Sequence, residues 1–261
     1  MISDPLTGLG VLVTRPAGQA HGLCRLIEAA GGRAIPFPTT LIQPVLDPGP
    51  ARALLAADWD LMVFISRNAV EYGLPLCPGG RPRATALAAV GEATARTLDA
   101  AGCPPELVPT GRFDSEGLLA LDALTAVLGQ RILIVRGEGG RAALGEILTE
   151  RGAQVAYAEV YRRTPPEVDP GPLLAHWGAE VQLATATSDE ILRNLVDILG
   201  PRGHAALVAT PLVVVSARTA TLAEAIGFRR VELADRAGDA EILAALCRAA
   251  QPIAGPAADS P

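Results

Sequence analysis

VFISRNAV, Val63 to Val70, reads as a buried strand that stops at a serine and turns at once into a helix. TATSDEIL, Thr185 to Leu192, gives the same reading 122 residues later. Around these two stretches, short apolar runs alternate with helical patterns. The expected strands are GVLVT (10–14), LMVFIS (61–66), TALAAV (85–90), RILIVR (131–136), AQVAYAEVY (153–161), VQLATAT (181–187), LVVVS (212–216) and RVELA (230–234). Continuous apolar runs, rather than strict alternation, mark strands covered on both faces, hence parallel sheets between helices and an α/β fold.

The pairing of VFISRNAV with TATSDEIL belongs to a longer repeat. VLVTRPAGQAHGLCRLIEAAGG (11–32) lies over ILIVRGEGGRAALGEILTERGA (132–153) at a spacing of 121. VGEATARTLDAAG (90–102) lies over VSARTATLAEAIG (215–227), and FDSEGLL (113–119) over GDAEILA (238–244), both at 125. Segments repeated in order at near-constant spacing predict two copies of one α/β unit. Proline-rich joints follow matching βα units, at PFPTTLIQPVLDPGP (36–50) and YRRTPPEVDPGP (161–172). Proline holds the chain extended and cannot donate to a sheet, so both read as linkers. Their positions suit a chain that leaves one domain after a single βα unit, builds the other, and returns. The tail AQPIAGPAADSP reads as a disordered end.

Composition narrows the function. Only 3% of the 261 residues are aromatic, so the core must be built from Ala, Leu, Val and Ile. No apolar run approaches the ~20 residues of a membrane span, and MISDPLTG has no signal-peptide pattern. A soluble cytoplasmic protein is expected. All 22 basic residues are arginine, which removes Schiff-base chemistry and a P-loop lysine. A net charge of −6 argues against nucleic acid as a partner. Cys24, Cys77, Cys103 and Cys247 form no CxxC pair and read as small apolar residues rather than metal ligands or disulfides. His21, His176 and His204 fall away from the strand ends, which excludes a Ser-His-Asp arrangement. Of the acids near those ends, Glu92, Glu116, Glu138, Asp189 and Glu190, no two are spaced for hydrolysis.

The strand ends do share a chemistry. They present Thr14–Arg15, Ser66–Arg67–Asn68, Gly91 with Thr94, Arg136–Gly137, Thr187–Ser188 and Ser216 with Thr219. All fall at the carboxyl edge of a parallel sheet, where ligands bind and helix N-termini attract anions. Singly, each hydroxyl also reads as a helix cap. Together they suit a ligand with many carboxylates, held in a cleft with a set of such ends on each wall. GEGGRA (137–142), with Glu159 beyond it, matches a dinucleotide fingerprint and leaves NAD or FMN as an alternative ligand; Arg136 and Arg15 offer the other reading, twin anion cradles. Tyr161 ends a long strand at the proline-rich crossing, where a phenol can either donate a proton or pack at a hinge.

LVTRPAGQA, VFISRNAV, AAVGEATARTLDAAG, DSEGLL, RILIVRGEGGRAALGEILTERGAQVAYAEVYRR, TSDEILRNL and GDAEILAAL, in this order from about residue 10 to 250, resemble uroporphyrinogen-III synthases. The resemblance implies two flavodoxin-like domains joined by a two-strand linker. One would hold 1–36 with 167–261, the other 44–160, with linker strands at 37–43 and 161–166. It implies conversion of hydroxymethylbilane, a linear octacarboxylate tetrapyrrole, to uroporphyrinogen III without metal or cofactor, by a monomer that could take its substrate from hydroxymethylbilane synthase. Tyr161 matches the family's cleft tyrosine, the proton donor to the leaving hydroxyl. Ser66, Asn68, Thr187, Ser188 and Thr219 match substrate-contacting positions, and Thr14, Arg15, Arg67, Thr94, Ser115 and Arg136 complete the candidate binding set. Two positions depart from the family pattern: Arg67 stands where relatives are small or proline, and SAR (216–218) replaces a glycine-containing turn. A non-catalytic regulatory module of the same fold, binding a tetrapyrrole or nucleotide, is the alternative.

Overall fold

Each of the eight apolar runs forms a strand in the computed structural model, which describes residues 4–111, 114–140 and 142–251. The elements in chain order are β1 (Gly10–Val13), α1 (Ala17–Ala29), β2 (Arg33–Pro36), β3 (Leu41–Pro44), α2 (Gly49–Ala56), β4 (Trp59–Phe64), α3 (Arg67–Gly73) and β5 (Ala84–Ala89). Next come α4 (Glu92–Ala100), α5 (Ser115–Leu119), β6 (Arg131–Gly137), α6 (Ala143–Glu150), β7 (Gln154–Thr164) and α7 (Gly171–Glu180). The last are β8 (Leu183–Ala186), α8 (Asp189–Ala209), β9 (Leu212–Val214), α9 (Ala217–Ile226), β10 (Val231–Leu233) and α10 (Asp239–Ala250). The chain divides into two compact units, residues 1–41 with 164–261, and residues 42–163.

The discontinuous unit carries a five-stranded sheet in the order β10-β9-β8-β1-β2, with every neighbouring pair parallel. Its central strands β1 and β8 are buried at every residue, as a sheet covered on both faces requires. Side chains alternate between the two faces. Leu12, Ala184, Leu212 and Val214 meet Trp177 of α7, Leu192 and Leu195 of α8 and Ala223 of α9. Val11, Val13, Leu183 and Val213 meet Leu23 and Ile27 of α1 and Ile242 and Leu246 of α10. Helix α8 is broken within, where Gly200 takes φ 59° and Pro201 follows.

The continuous unit has the sheet order β3-β7-β6-β4-β5, with β5, β4, β6 and β7 parallel in succession. Met62, Phe64, Leu133 and Val135 pack on one face against Ala51 and Leu55 of α2, Val70 of α3 and Leu98 of α4. Leu61, Val63, Ile132 and Ile134 pack on the other against Leu118 of α5 and Leu144 and Leu148 of α6. Strand β3 overlaps the linker strand expected at 37–43 and is hydrogen-bonded into this sheet beside β7. Its proline, Pro44, sits at the strand's last residue on the sheet edge, where a missing N–H costs little.

Six strands, β1, β4, β5, β8, β9 and β10, end one or two residues before the apolar runs that predict them. Ser66, Ser188 and Ser216 are not strand residues but N-caps of α3, α8 and α9. Their side chains accept from the N–H of Ala69, Ile191 and Thr219, which fixes the helix start one residue after each serine. The tail expected to be disordered lies, from residue 252, outside the described residues, as do Arg112, Phe113 and Arg141.

Candidate functional site

At the carboxyl edge of the continuous unit, a bulge brings three polar side chains together. Arg136 pairs with Glu159 in the register of β6 and β7, but the next residue, Gly137, pairs with Tyr161, so Val160 is skipped. Alternation alone would place Val160 and Tyr161 on opposite faces. The bulge turns both into the same core, and Tyr161 is fully buried there. Its ring lies on the bare backbone of Gly137, where an added Cβ would stand 2.5 Å from Cε2. Tyr72 flanks it, with ring centroids 6.0 Å apart.

The phenolic oxygen has two polar neighbours. Arg163 donates to it from Nη2 at 3.0 Å, with the guanidinium 5.3 Å from the ring centroid. Ser66 Oγ lies 3.2 Å from it on the other side. The cap of α3 and the end of β7 therefore share a hydrogen-bonded chain, Arg163–Tyr161–Ser66. Beside Ser66, Arg67 is exposed and Asn68 half-buried in the first turn of α3.

The two candidate anion cradles are otherwise engaged. Arg136 donates to Glu159 Oε1 at 3.0 Å and to the Gly140 carbonyl at 3.0 Å, and its guanidinium lies 4.0 Å from the Tyr157 ring centroid. Glu159, the acid that a dinucleotide ribose would need, is thereby neutralised. Arg15 is nearly buried and is paired with Asp239 and the Ala237 carbonyl. Arg136 braces the turn on which it sits, and Arg15 ties its turn to the start of α10.

Thr94 is buried in the first turn of α4, whose cap position is Gly91. Ser115 opens α5, but the cap is Asp114, whose carboxylate accepts from the Gly117 N–H at 2.8 Å.

In the discontinuous unit the carboxyl edge is a tighter network. Thr14 is buried and donates to the Thr185 carbonyl at 2.5 Å. Thr219 donates to Asp189 Oδ1 at 2.7 Å, which leaves Ser216 to donate to Thr219 Oγ1 at 2.8 Å. Arg218 meets the other Asp189 oxygen at 2.8 Å. Thr187 and Ser188 are half-buried between these groups and the end of β8.

Sequence reading missed several participants. Arg163 could have been found from its spacing, since residues two apart on a strand share a face. Thr39, Thr40 and Asn194 could not: Thr39 donates to the Ile191 carbonyl at 3.1 Å, and Asn194 donates to the Thr39 carbonyl at 2.9 Å and Thr40 Oγ1 at 3.1 Å. Only the folded chain brings 39–40 beside α8. Among the described residues, no three His, Cys, Asp or Glu side chains gather where they could hold a metal ion, and no helix is long and apolar enough to cross a membrane.

Fold and edge chemistry together define an α/β protein whose parallel sheets end in polar edges. The sequence matches the family described as uroporphyrinogen-III synthase HemD over residues 22–244. It is 34% identical to the uroporphyrinogen-III synthase of Escherichia coli K12, over 91% of this chain and 100% of that one. Identity to the Salmonella typhimurium enzyme is also 34%, with the same coverage. A solved mutant uroporphyrinogen III synthase from Thermus thermophilus aligns over 92% of this chain and 98% of its own, at TM-score 0.59 and 21% identity. The chain belongs to the uroporphyrinogen-III synthase family.

Proposed function

We propose that this chain cyclises hydroxymethylbilane to uroporphyrinogen III, with loss of water and inversion of the last ring. Water leaves the hydroxymethyl end, the resulting azafulvene is attacked at the substituted carbon of that ring, and a spiro intermediate fragments and closes. The observation that carries the reading is the match to the uroporphyrinogen-III synthase of Escherichia coli at 34% identity over 91% of this chain and 100% of that one. The site chemistry supports it. Hydroxyls, amides and arginines at the sheet edges suit a polycarboxylate, and the phenol of Tyr161 is fixed by two hydrogen-bond partners. Uncatalysed closure gives the uninverted isomer, so the enzyme's contribution is geometric: it holds the chain where the spiro path is favoured.

The substrate-binding set is Ser66, Arg67, Asn68 and Thr94 on one unit and Thr187, Ser188 and Thr219 on the other, with Tyr161 as the source of the catalytic proton. Arg136, Arg15, Thr14 and Ser115 shape these edges from behind. The exposed Arg67 takes a substrate carboxylate, since no acid is paired with it among the described residues.

The units are read as two copies of one flavodoxin-like domain, divided at 1–36 with 167–261 and 44–160, with crossings at 37–43 and 161–166. Their division at 41/42 and 163/164 supports this. So does the sheet order: in its own chain order the discontinuous unit runs 2-1-3-4-5. Displaced by the spacings of the sequence repeat, β2, β1, β8 and β9 fall on β7, β6, β4 and β5, which lie in the same order. The pair Glu232 and Val213 falls on the isolated parallel bridge between Leu107 and Ala88. The caps agree as well, Ser66 at φ −162°, ψ 164° and Ser188 at φ −162°, ψ 163°.

A cytoplasmic monomer that receives its unstable substrate directly from hydroxymethylbilane synthase completes the reading. Incubation with freshly prepared hydroxymethylbilane, followed by separation of the isomers, tests the function. Isomer III in excess of the uncatalysed background is expected; isomer I alone would contradict the reading and favour a binding module of the same fold.

A further inference from the structure

The hydrogen-bond directions around Tyr161 can be assigned from donor inventory alone. A guanidinium has only donors, so the phenolic oxygen accepts from Arg163. Tyr161 is fully buried, and its own O–H must find an acceptor. Among the described residues the neighbour placed to accept is Ser66 Oγ at 3.2 Å. That oxygen also accepts from the Ala69 N–H at 3.1 Å, so both of its lone pairs are occupied. Among the described residues the proton of Ser66 is left without a protein acceptor, on a half-buried residue at the sheet edge. Ser216, the cap of α9, differs because its proton goes to Thr219.

We infer that Ser66 is the residue that protonates the leaving hydroxyl, and that Tyr161 acts one step behind it, passing its proton through Ser66. The inference rests on the proposed reaction. In the step, the C–O bond of the hydroxymethyl group breaks with its electron pair on oxygen, and that oxygen takes the Ser66 proton and departs as water. Ser66 Oγ takes the Tyr161 proton in the same movement. The phenolate left behind faces the Arg163 guanidinium. The pyrrole nitrogen supplies the electron pair for the new exocyclic double bond, and its N–H proton restores the phenol. Arg163 is a positioning residue: it keeps the Tyr161–Ser66 bond pointing outward, and without it Ser66 can turn and donate inward.

Single-turnover rates of water loss, measured in mixtures of light and heavy water, test the relay. Ser66→Ala and Tyr161→Phe are each expected to lose about 10²- to 10⁴-fold in rate, and the double variant no more than either alone. The wild-type rate should curve with deuterium fraction, two protons being in flight, and each single variant should respond linearly. Ser66→Thr, which keeps hydroxyl and cap, should retain most of the rate. Arg163→Ala, a change at an exposed side chain that tests the relay whether or not the Ser66 variant folds, should lower kcat, leave KM in place and abolish the curvature. A Ser66→Ala enzyme within a few-fold of wild type, beside a slow Tyr161→Phe, would overturn the relay in favour of direct donation by Tyr161. Wild-type turnover to isomer I alone would instead defeat the functional reading on which the relay rests.

Discussion

A methyl group added at Gly137 would lie 2.5 Å from Cε2 and 2.6 Å from Cζ of Tyr161, inside any tolerable contact. Gly137→Ala must therefore displace the ring, and with it the phenolic oxygen between Ser66 and Arg163. We expect a loss of ~1–3 kcal/mol in stability, typical of overpacking, and a fall in turnover larger than the stability loss explains; urea denaturation and initial rates check the two together. Tyr161 itself stands out in the sequence as a tyrosine at the expected end of a long strand, although β7 runs on to Thr164. Its burial does not, because the bulge after Arg136 reverses the alternation on which any reading of faces depends. Arg67 and Asn68 were legible as residues of a strand end; Arg136 and Arg15 were legible as arginines at turns, but their ion pairs with Glu159 and Asp239 come from residues 23 and 224 positions away. Cys77 bears out its reading as a small apolar residue. Burial, with the nearby Cys103 thiol, pushes its thiol up from an ordinary value of 9.0 to about 11. The fold favours the neutral thiol, so its stabilisation is complete below pH 9 and declines as the pH rises toward about 11. Alkylation at neutral pH should accordingly spare Cys77 until the protein is unfolded, and labelling of the native protein at pH 7 would contradict this.

Helix starts form the next level. Ser188 caps α8 through the Ile191 N–H at 3.2 Å, as Ser66 caps α3. Ser188→Ala should cost ~1 kcal/mol of stability, read as a lower denaturation midpoint with an unchanged slope. On the proposed relay, Ser66→Ala should cost as much in stability and far more in rate, so the pair separates capping from chemistry. The strands' existence and parallel pairing followed from unbroken apolar runs, and their central members are indeed buried at nearly every residue. Strand ends were overrun by two residues in LVVVS and LMVFIS, because a capping serine keeps extended dihedrals while leaving the ladder. Strand β3 was hidden in a proline-rich segment. Proline argues against a central strand but not against an edge, and β3 lies at the edge of its sheet.

For the molecule as a whole, the repeat in the sequence was the informative quantity, since single hydroxyls at strand ends are ordinary caps. The repeat pointed to equivalent edges, and the edges differ in use. In the continuous unit, Arg67 follows the capping serine and stands exposed, whereas in the discontinuous unit Asp189 follows it and is bound by Thr219 and Arg218. Polar residues brought in from distant segments, such as Thr39 beside α8, carry no local pattern, which is why the edge network of that unit could not be read in advance. The central claim is that the substrate's chemistry takes place at the carboxyl edges of the sheets. Hydrogen exchange of the backbone amides, with and without uroporphyrinogen III under anaerobic conditions, tests it most directly. The account predicts protection at residues 66–70, 137–140, 187–191 and 216–220. Protection confined to the amino ends of β9 and β10, around the cavity lined by Pro211, Phe228, Arg229 and Arg230, would contradict it.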